Sequence, residues 1–408
     1  MKKVQINLLK KTYNGSLYSV NLKDLVYREL LCLIHIGVDG NLLCGKRTGM
    51  GTVVYNVIQF WKSSEKYMIT LYVPEELDRT YTRRLKDHNV EVKVLGKANY
   101  FKWEQVVLPR AVKQDKIDVL WCPYNTAPLK VSCPTVVTVH DMIYMSASLK
   151  KTPSLYKKAG LIYRRTIVPK AIKKAKTIIT ISQFTKKEIC NYFPNAENKI
   201  QIVYNSTDIN TNVLNDCEKN AFFIENNIQA PYILGFGSLE TRKNSLGLIK
   251  AYEMLPTELK QHYQLVLFGF RGYEDSEEFK YINEHHIDNV VILKYISDEE
   301  KTTLYRNSEL FVFPTFSEGF GIPVLEAFAN ASPVITSNVT AIPEVAGDAA
   351  ILIDPFNTKM ICDAMNKVLS NEALSKDLIM RGENQLKKFD WKLSSEKVYE
   401  IIKETMKQ

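Results

Sequence analysis

Short apolar runs alternate with longer amphipathic stretches along the whole chain, the pattern of strands and helices taking turns in parallel βαβ units. The runs predict strands near residues 31–38, 67–73, 90–95, 118–121, 135–139, 177–181 and 200–203, then near 231–236, 263–268, 289–293, 309–313, 333–336 and 350–353. A polar stretch without such runs, 205–227, separates the two series and reads as a linker. The pattern predicts an α/β protein of two doubly wound domains, residues 1–222 and 223–390. Residues 1–30 precede the first predicted strand and form an extension with no assigned role.

Bulk composition agrees with this division. A chain of 408 residues suits two domains of about 200 each, because single cores stop growing near that size. Apolar residues make up 45% and charged residues 24%, the balance of a water-soluble globular protein. The first residues hold no apolar run of signal-peptide length, and the longest apolar stretch, near Leu30–Val38, is far shorter than a membrane span. A cytoplasmic location is expected. Seven scattered cysteines without a Cys-x-x-Cys pair read as reduced thiols, neither disulfides nor a zinc site.

Charge is divided unevenly. The net charge is +9, yet residues 1–228 carry 35 Lys+Arg against 19 Asp+Glu, and the remainder carries 19 against 26. Between Asp141 and Glu188 there are twelve basic residues and no acid. There Leu155, Tyr156, Leu161, Ile162, Tyr163, Ile167 and Val168 are interleaved with Lys157, Lys158, Arg164 and Arg165. Such a segment can lie on anionic lipid, each basic residue contributing about 1 kcal/mol near the surface. A solvated helix face or a nucleic-acid patch are the alternative readings. An anionic membrane surface is the expected partner, and nucleic acid is not.

The densest chemistry lies after the run Leu310–Phe313. Pro314 ends the strand, Glu318 leads into Gly319-Phe320-Gly321, and a helix opens at Pro323 and presents Glu326. Two glycines at a strand-to-helix turn let backbone N–H groups approach an anion, and the helix dipole adds to the attraction. Short glycine turns before helices are common in purely structural roles, but two glutamates eight apart around Gly-Phe-Gly form a more specific pattern. It resembles the Glu-x7-Glu signature of retaining glycosyltransferases of family 4. The similarity continues through Ala327–Ile335 and Ala341–Ala350.

That resemblance implies two Rossmann-like domains facing across a cleft, the GT-B arrangement, closed by a helix at 391–408 that crosses back to the first domain. It implies transfer of a sugar from a nucleoside diphosphate with retention at the anomeric carbon. Donor-binding residues are then Gly49 and Gly51 in a first-domain glycine loop, Ser238, Arg242 and Lys243 after the run 231–236, and Gly319, Phe320, Gly321 and Glu326. Many members carry arginine where this chain has Ser238, which throws the cationic load onto Arg242 and Lys243. His140, Asp141 and Glu318 are the expected catalytic residues: His140 meets the donor sugar, and Asp141 orients it or the acceptor. Glu326 is expected on the ribose hydroxyls. Ser182 looks like a helix cap bordering the site, Glu344 like a further cleft residue, and Asn205-Ser206 departs from the family's usual Asn-Gly.

The chain contains no Asp-x-Asp, so no metal and no cofactor are expected, with side-chain cations in their place. Two carboxylates alone would also suit a hydrolase, but hydrolases need no diphosphate machinery. The form of the 238–244 loop looks most like mannosyltransferase-type members, making GDP-mannose the first candidate donor over UDP-sugars. The expected acceptor is a lipid-linked saccharide of O-antigen or capsule assembly, on the inner face of the cell membrane. A nucleotide-sugar 2-epimerase, which can share the two-domain fold, is the competing class.

Overall fold

The computed structural model describes residues 34–44, 49–61, 67–88, 90–147, 155–207, 212–270 and 272–407. The extension 1–30 lies outside the described residues, as do residues 31–33 at the start of the first predicted strand.

All thirteen predicted strands form. The first sheet contains β1 (Ile34–Asp39), β2 (Tyr67–Val73), β3 (Val90–Val94), β4 (Val119–Cys122), β5 (Thr135–Val139), β6 (Thr177–Thr180) and β7 (Ile200–Ile202). The second contains β8 (Tyr232–Phe236), β9 (Gln264–Phe268), β10 (Val290–Ile292), β11 (Leu310–Phe313), β12 (Val334–Ser337) and β13 (Ala350–Ile353). Every pairing is parallel, with orders β3-β2-β1-β4-β5-β6-β7 and β10-β9-β8-β11-β12-β13. Helices cover both faces, which is why central strands such as β4 and β11 are apolar and buried throughout. The strand order reverses between β1 and β4 and between β8 and β11, and crevices for ligands open beyond the carboxyl ends at such points.

Seven helices matter for the site: α1 (Gly49–Ile58), α2 (Leu155–Lys174), α3 (Gln183–Tyr192), α4 (Asp298–Arg306), α5 (Ile322–Ala329), α6 (Ile342–Ala346) and α7 (Trp391–Lys407). The expected linker is only partly one. Asn215 and Glu218 form a reciprocal capping box that starts a helix at Asp216–Glu225. Its Phe222 is buried with Tyr232 and Leu304 in the second domain's core. A boundary between 222 and 223 therefore falls inside an element of the second domain.

Helix α7 leaves the second domain and lies on the first. Trp391, Val398, Ile401 and Ile402 join the apolar cluster of Val54, Ile58, Trp61 and Trp121. Trp61 Nε1 donates to the Ser395 carbonyl at 3.1 Å, and Ser395 Oγ donates to the Val57 carbonyl at 2.6 Å.

Candidate functional site

The two crevices meet at Gly319. A Cβ built there would lie 2.0 Å from the His140 carbonyl oxygen and 3.2 Å from Asp141 Cβ, so only glycine lets the turn after β11 rest on the end of β5. The Gly319 carbonyl accepts from Ser182 Oγ at 2.8 Å and from Thr185 Oγ1 at 3.2 Å, both at the start of α3. Ser182 is the N-cap of α3, as its place after β6 leads one to expect. Glu344, on α6, accepts from the Gln183 and Phe184 amides at 2.8 and 3.2 Å. A second-domain carboxylate thus sits on the positive end of a first-domain helix, which gives Glu344 a role as a clasp across the cleft.

Arg242, Lys243 and Glu318 come together beside this seam. Glu318 Oε1 lies 2.8 Å from Arg242 Nη1 and 2.5 Å from Lys243 Nζ, and accepts from Thr315 Oγ1 at 3.1 Å. Arg242 also donates to the Ser317 carbonyl and pairs with Glu240 at 2.7 Å. Burial works against the guanidinium's charge, but Glu318 and Glu240 outweigh it and hold its pKa above the ordinary arginine value. Lys243 goes the other way: burial, helped by the neighbouring Arg242, outweighs Glu318 and lowers its pKa. Its ammonium lies over the rings of Phe236 and Phe313, about 5 Å from each centroid.

His140 is buried, and its Nε2 lies 2.7 Å from the Pro123 carbonyl. A carbonyl only accepts, so Nε2 carries the proton and Nδ1 is the basic nitrogen. Burial lowers the ring's pKa and keeps it neutral. The orienting group is therefore Pro123 and not Asp141, whose Oδ1 instead accepts from the Ile143 amide at 3.1 Å. Burial raises the Asp141 carboxyl's pKa.

Glu326 stands apart with partners of its own. Lys301 Nζ lies 2.8 Å from Oε1, and the Tyr305 hydroxyl donates to Oε2 at 3.2 Å. Burial opposes the Lys301 charge, but Glu326 outweighs it and raises the pKa. Lys301 and Tyr305 were missed in the sequence, although their i, i+4 spacing on α4 puts them on one face.

Four of the expected donor residues, Ser238, Phe320, Gly49 and Gly51, also have places in the fold's own packing and turns. Ser238 Oγ accepts from the Glu240 amide at 3.1 Å and closes the turn after β8. Phe320 is buried, its ring against Tyr204 and Phe389. Gly51 lies inside the first turn of α1 rather than in a loop, as does Gly49. Met50 in that turn and Ile322 at the start of α5 pack against the same apolar cluster. Gly321, at φ 116°, takes the left-handed conformation needed to start α5. Asn205 and Ser206 are buried, and Ser206 Oγ donates to the Phe389 carbonyl at 3.1 Å, tying the crossover segments together.

A second polar cluster, not anticipated, fills the switch point of the first sheet. Asp39, at the end of β1, accepts from Trp103 Nε1 at 2.9 Å. Burial pushes its pKa up to about 7. Glu104, on a π-turn at Trp103–Val107, accepts from Thr126 Oγ1, from Tyr163 OH at 2.6 Å and from Gln105 Nε2 at 2.7 Å. Asn125, next to Thr126, accepts from the His140 amide at 2.6 Å. Among the described residues no group of three His, Cys, Asp or Glu side chains is placed to hold a metal ion.

Two doubly wound domains whose switch-point loops meet, one bringing a cation pair and a helix N-terminus and the other a buried histidine, define the GT-B class. Residues 216–385 match the family described as Glycosyl transferases group 1, and residues 47–211 match Glycosyltransferase Family 4. The chain belongs to the family-4 glycosyltransferases. The O-antigen chain mannosyltransferase B of Escherichia coli is 32% identical over 260 residues, covering 63% of this chain and 66% of that protein. The serotype-specific mannosyltransferase WbdA of Escherichia coli is 30% identical over 223 residues, 53% of this chain and 27% of WbdA. This chain thus spans just under two thirds of the first relative and about a quarter of the second. The structure of Anabaena HepE in complex with UDP and glucose superposes with a TM-score of 0.68 at 16% identity, covering 91% of this chain and 100% of that one, which is a likeness of fold.

Proposed function

We propose that the protein is a retaining hexosyltransferase that moves mannose from GDP-mannose to a lipid-linked saccharide in surface-glycan assembly, at the inner face of the cell membrane and without a metal. The observation that carries this reading is the pairing of Arg242 and Lys243 with Glu318 at the switch point, directly against the end of β5 that bears His140. As the bond between the anomeric carbon and the diphosphate oxygen breaks, negative charge builds on the leaving group. Two fixed cations and the first turn of α5 stabilise it there, in a site already organised before the reaction. Glu326 on α5 takes the ribose hydroxyls, and Glu318 turns from its cations toward the sugar. The relatives named as mannosyltransferases support mannose, and a UDP-sugar is the competing donor.

The test is incubation with a panel of GDP- and UDP-sugars, following release of the nucleoside diphosphate with and without EDTA. Slow hydrolysis of GDP-mannose, unchanged by EDTA, is expected. Turnover of a UDP-sugar alone reassigns the donor, and no turnover or binding of any of them overturns the transferase reading.

A further inference from the structure

We propose that a basic groove on the flank of the first domain seats the diphosphate of the lipid-linked acceptor, an inference that rests on the acceptor class just given. The groove encloses about 900 Å³ between the π-turn, the loop 128–134 and the last turn of α2. Arg110, Lys113, Lys130 and Lys174 line it, and no carboxylate does. Lys174 Nζ donates to the Leu129 carbonyl at 2.7 Å, which places it at the groove wall. Four exposed cations around one groove with no lining carboxylate make a positive surface that attracts an anion. A diphosphate suits it better than a single charge, since a guanidinium can grip two oxygens while the lysines neutralise the rest. Val106, Leu129 and Val131 add apolar wall, so the occupant carries a hydrocarbon chain beside its charge.

The groove is wired to the cleft. Gln105 lines it, accepts from the Leu129 amide at 3.0 Å and donates to Glu104 at 2.7 Å. Glu104 holds Thr126, and the adjacent Asn125 holds the His140 amide. One loop, 123–134, therefore has its first residues at the cleft floor and its last in the groove. Thr135, at the start of β5, borders the groove, and His140 follows the strand's other end. Five residues of strand span about 17 Å. A lipid diphosphate in the groove thus reaches the cleft only through a glycan of several sugars, so the acceptor is an oligosaccharide under extension and not a bare lipid.

The test titrates the full chain with farnesyl diphosphate while GDP saturates the Arg242–Lys243 site, comparing wild type with the double variant Arg110→Ala, Lys130→Ala. Wild type is expected to bind, the variant about tenfold more weakly or less, with GDP affinity and donor hydrolysis alike in both. Equal binding by both proteins, or no binding by wild type, overturns the groove while leaving the donor reading to its own assay. Equal affinity for inorganic diphosphate overturns the lipid component. Displacement of farnesyl diphosphate by phosphatidylglycerol vesicles, but not by phosphatidylcholine vesicles, would instead assign the groove to a membrane headgroup and overturn the acceptor assignment.

Discussion

Glu318 is the residue on which the electrostatics of the donor site turn. Its Oε1 faces two partly buried cations at 2.8 and 2.5 Å, so any diphosphate entering the site competes with a carboxylate already there. Arg242 also pairs with Glu240 at 2.7 Å, so two cations face two carboxylates and the ligand gains their attraction only by displacing one of them. Glu318 weakens the pull of the cations on a diphosphate, and its charge partly offsets the burial that lowers the Lys243 pKa. Glu318→Gln should therefore separate binding from turnover. Its affinity for the nucleoside diphosphate should rise about tenfold, equivalent to about 1.4 kcal/mol, because the competing charge is gone. Sugar transfer should fall by at least about a hundredfold if Glu318 acts on the sugar. Calorimetric titration alongside the donor assay reads both. Weaker nucleotide binding in the variant would mean that the carboxylate organises the cations more than it competes with the ligand.

At the scale of elements, the crossing helix α7 packs on the first domain, and the polar contacts across the cleft gather around one glycine. Glu344 on α6 binds two amides at the start of α3, and hydrogen bonds to a charged group contribute about 1.5–3 kcal/mol. Glu344→Ala should shift the protein toward an open cleft, seen as a larger radius of gyration in solution scattering and a lower kcat/KM. Its melting temperature should change little, because neither domain core contains the residue. An unchanged radius with unchanged kinetics would assign the closure to Gly319 and its partners alone. The sequence made the strands legible because a parallel sheet covered on both faces demands unbroken apolar runs such as Val119–Cys122. It also exposed Glu318, Gly319, Arg242 and Lys243, because each directly follows a central strand at a switch point. It hid what depends on tertiary partners. The helix at Asp216–Glu225 lies in a polar stretch whose apolar positions read as isolated until Phe222 is seen in the core. Ser238 and Phe320 sit within motif stretches, and spacing along a chain does not reveal that one closes a turn and the other packs inward. Glu104 gave no signal at all, since a carboxylate in an amphipathic stretch ordinarily points to water.

Across the whole molecule, charge and apolar exposure coincide on the first domain. Residues 1–228 hold 35 basic against 19 acidic residues and the remainder 19 against 26, so an anionic surface attracts one domain and repels the other. Helix α2 refines where contact falls. Leu161, Ile167 and Val168 turn into the core, whereas Leu155, Tyr156 and Ile162 remain exposed, with Phe101 outward beside Tyr163. Arg165 is not part of that surface, because it donates to the carbonyls of Tyr144, Met145 and Ala147. No helix among the described residues is long and apolar enough to cross a membrane, and the contact proposed through this face is interfacial. Each basic residue near an anionic leaflet contributes about 1 kcal/mol, and the attraction decays within a Debye length of about 8 Å at physiological salt. Co-sedimentation with vesicles should therefore require anionic lipid and weaken as salt rises from 0.05 to about 0.5 M. Lys157→Glu with Lys158→Glu should weaken it by about an order of magnitude or more, two charges having changed sign at the surface. Tyr156→Ser should weaken it without altering the salt dependence, since that ring contributes apolar area and no charge. Binding indifferent to lipid charge and to salt would remove the membrane from this account and leave α2 as a solvated face of the first domain.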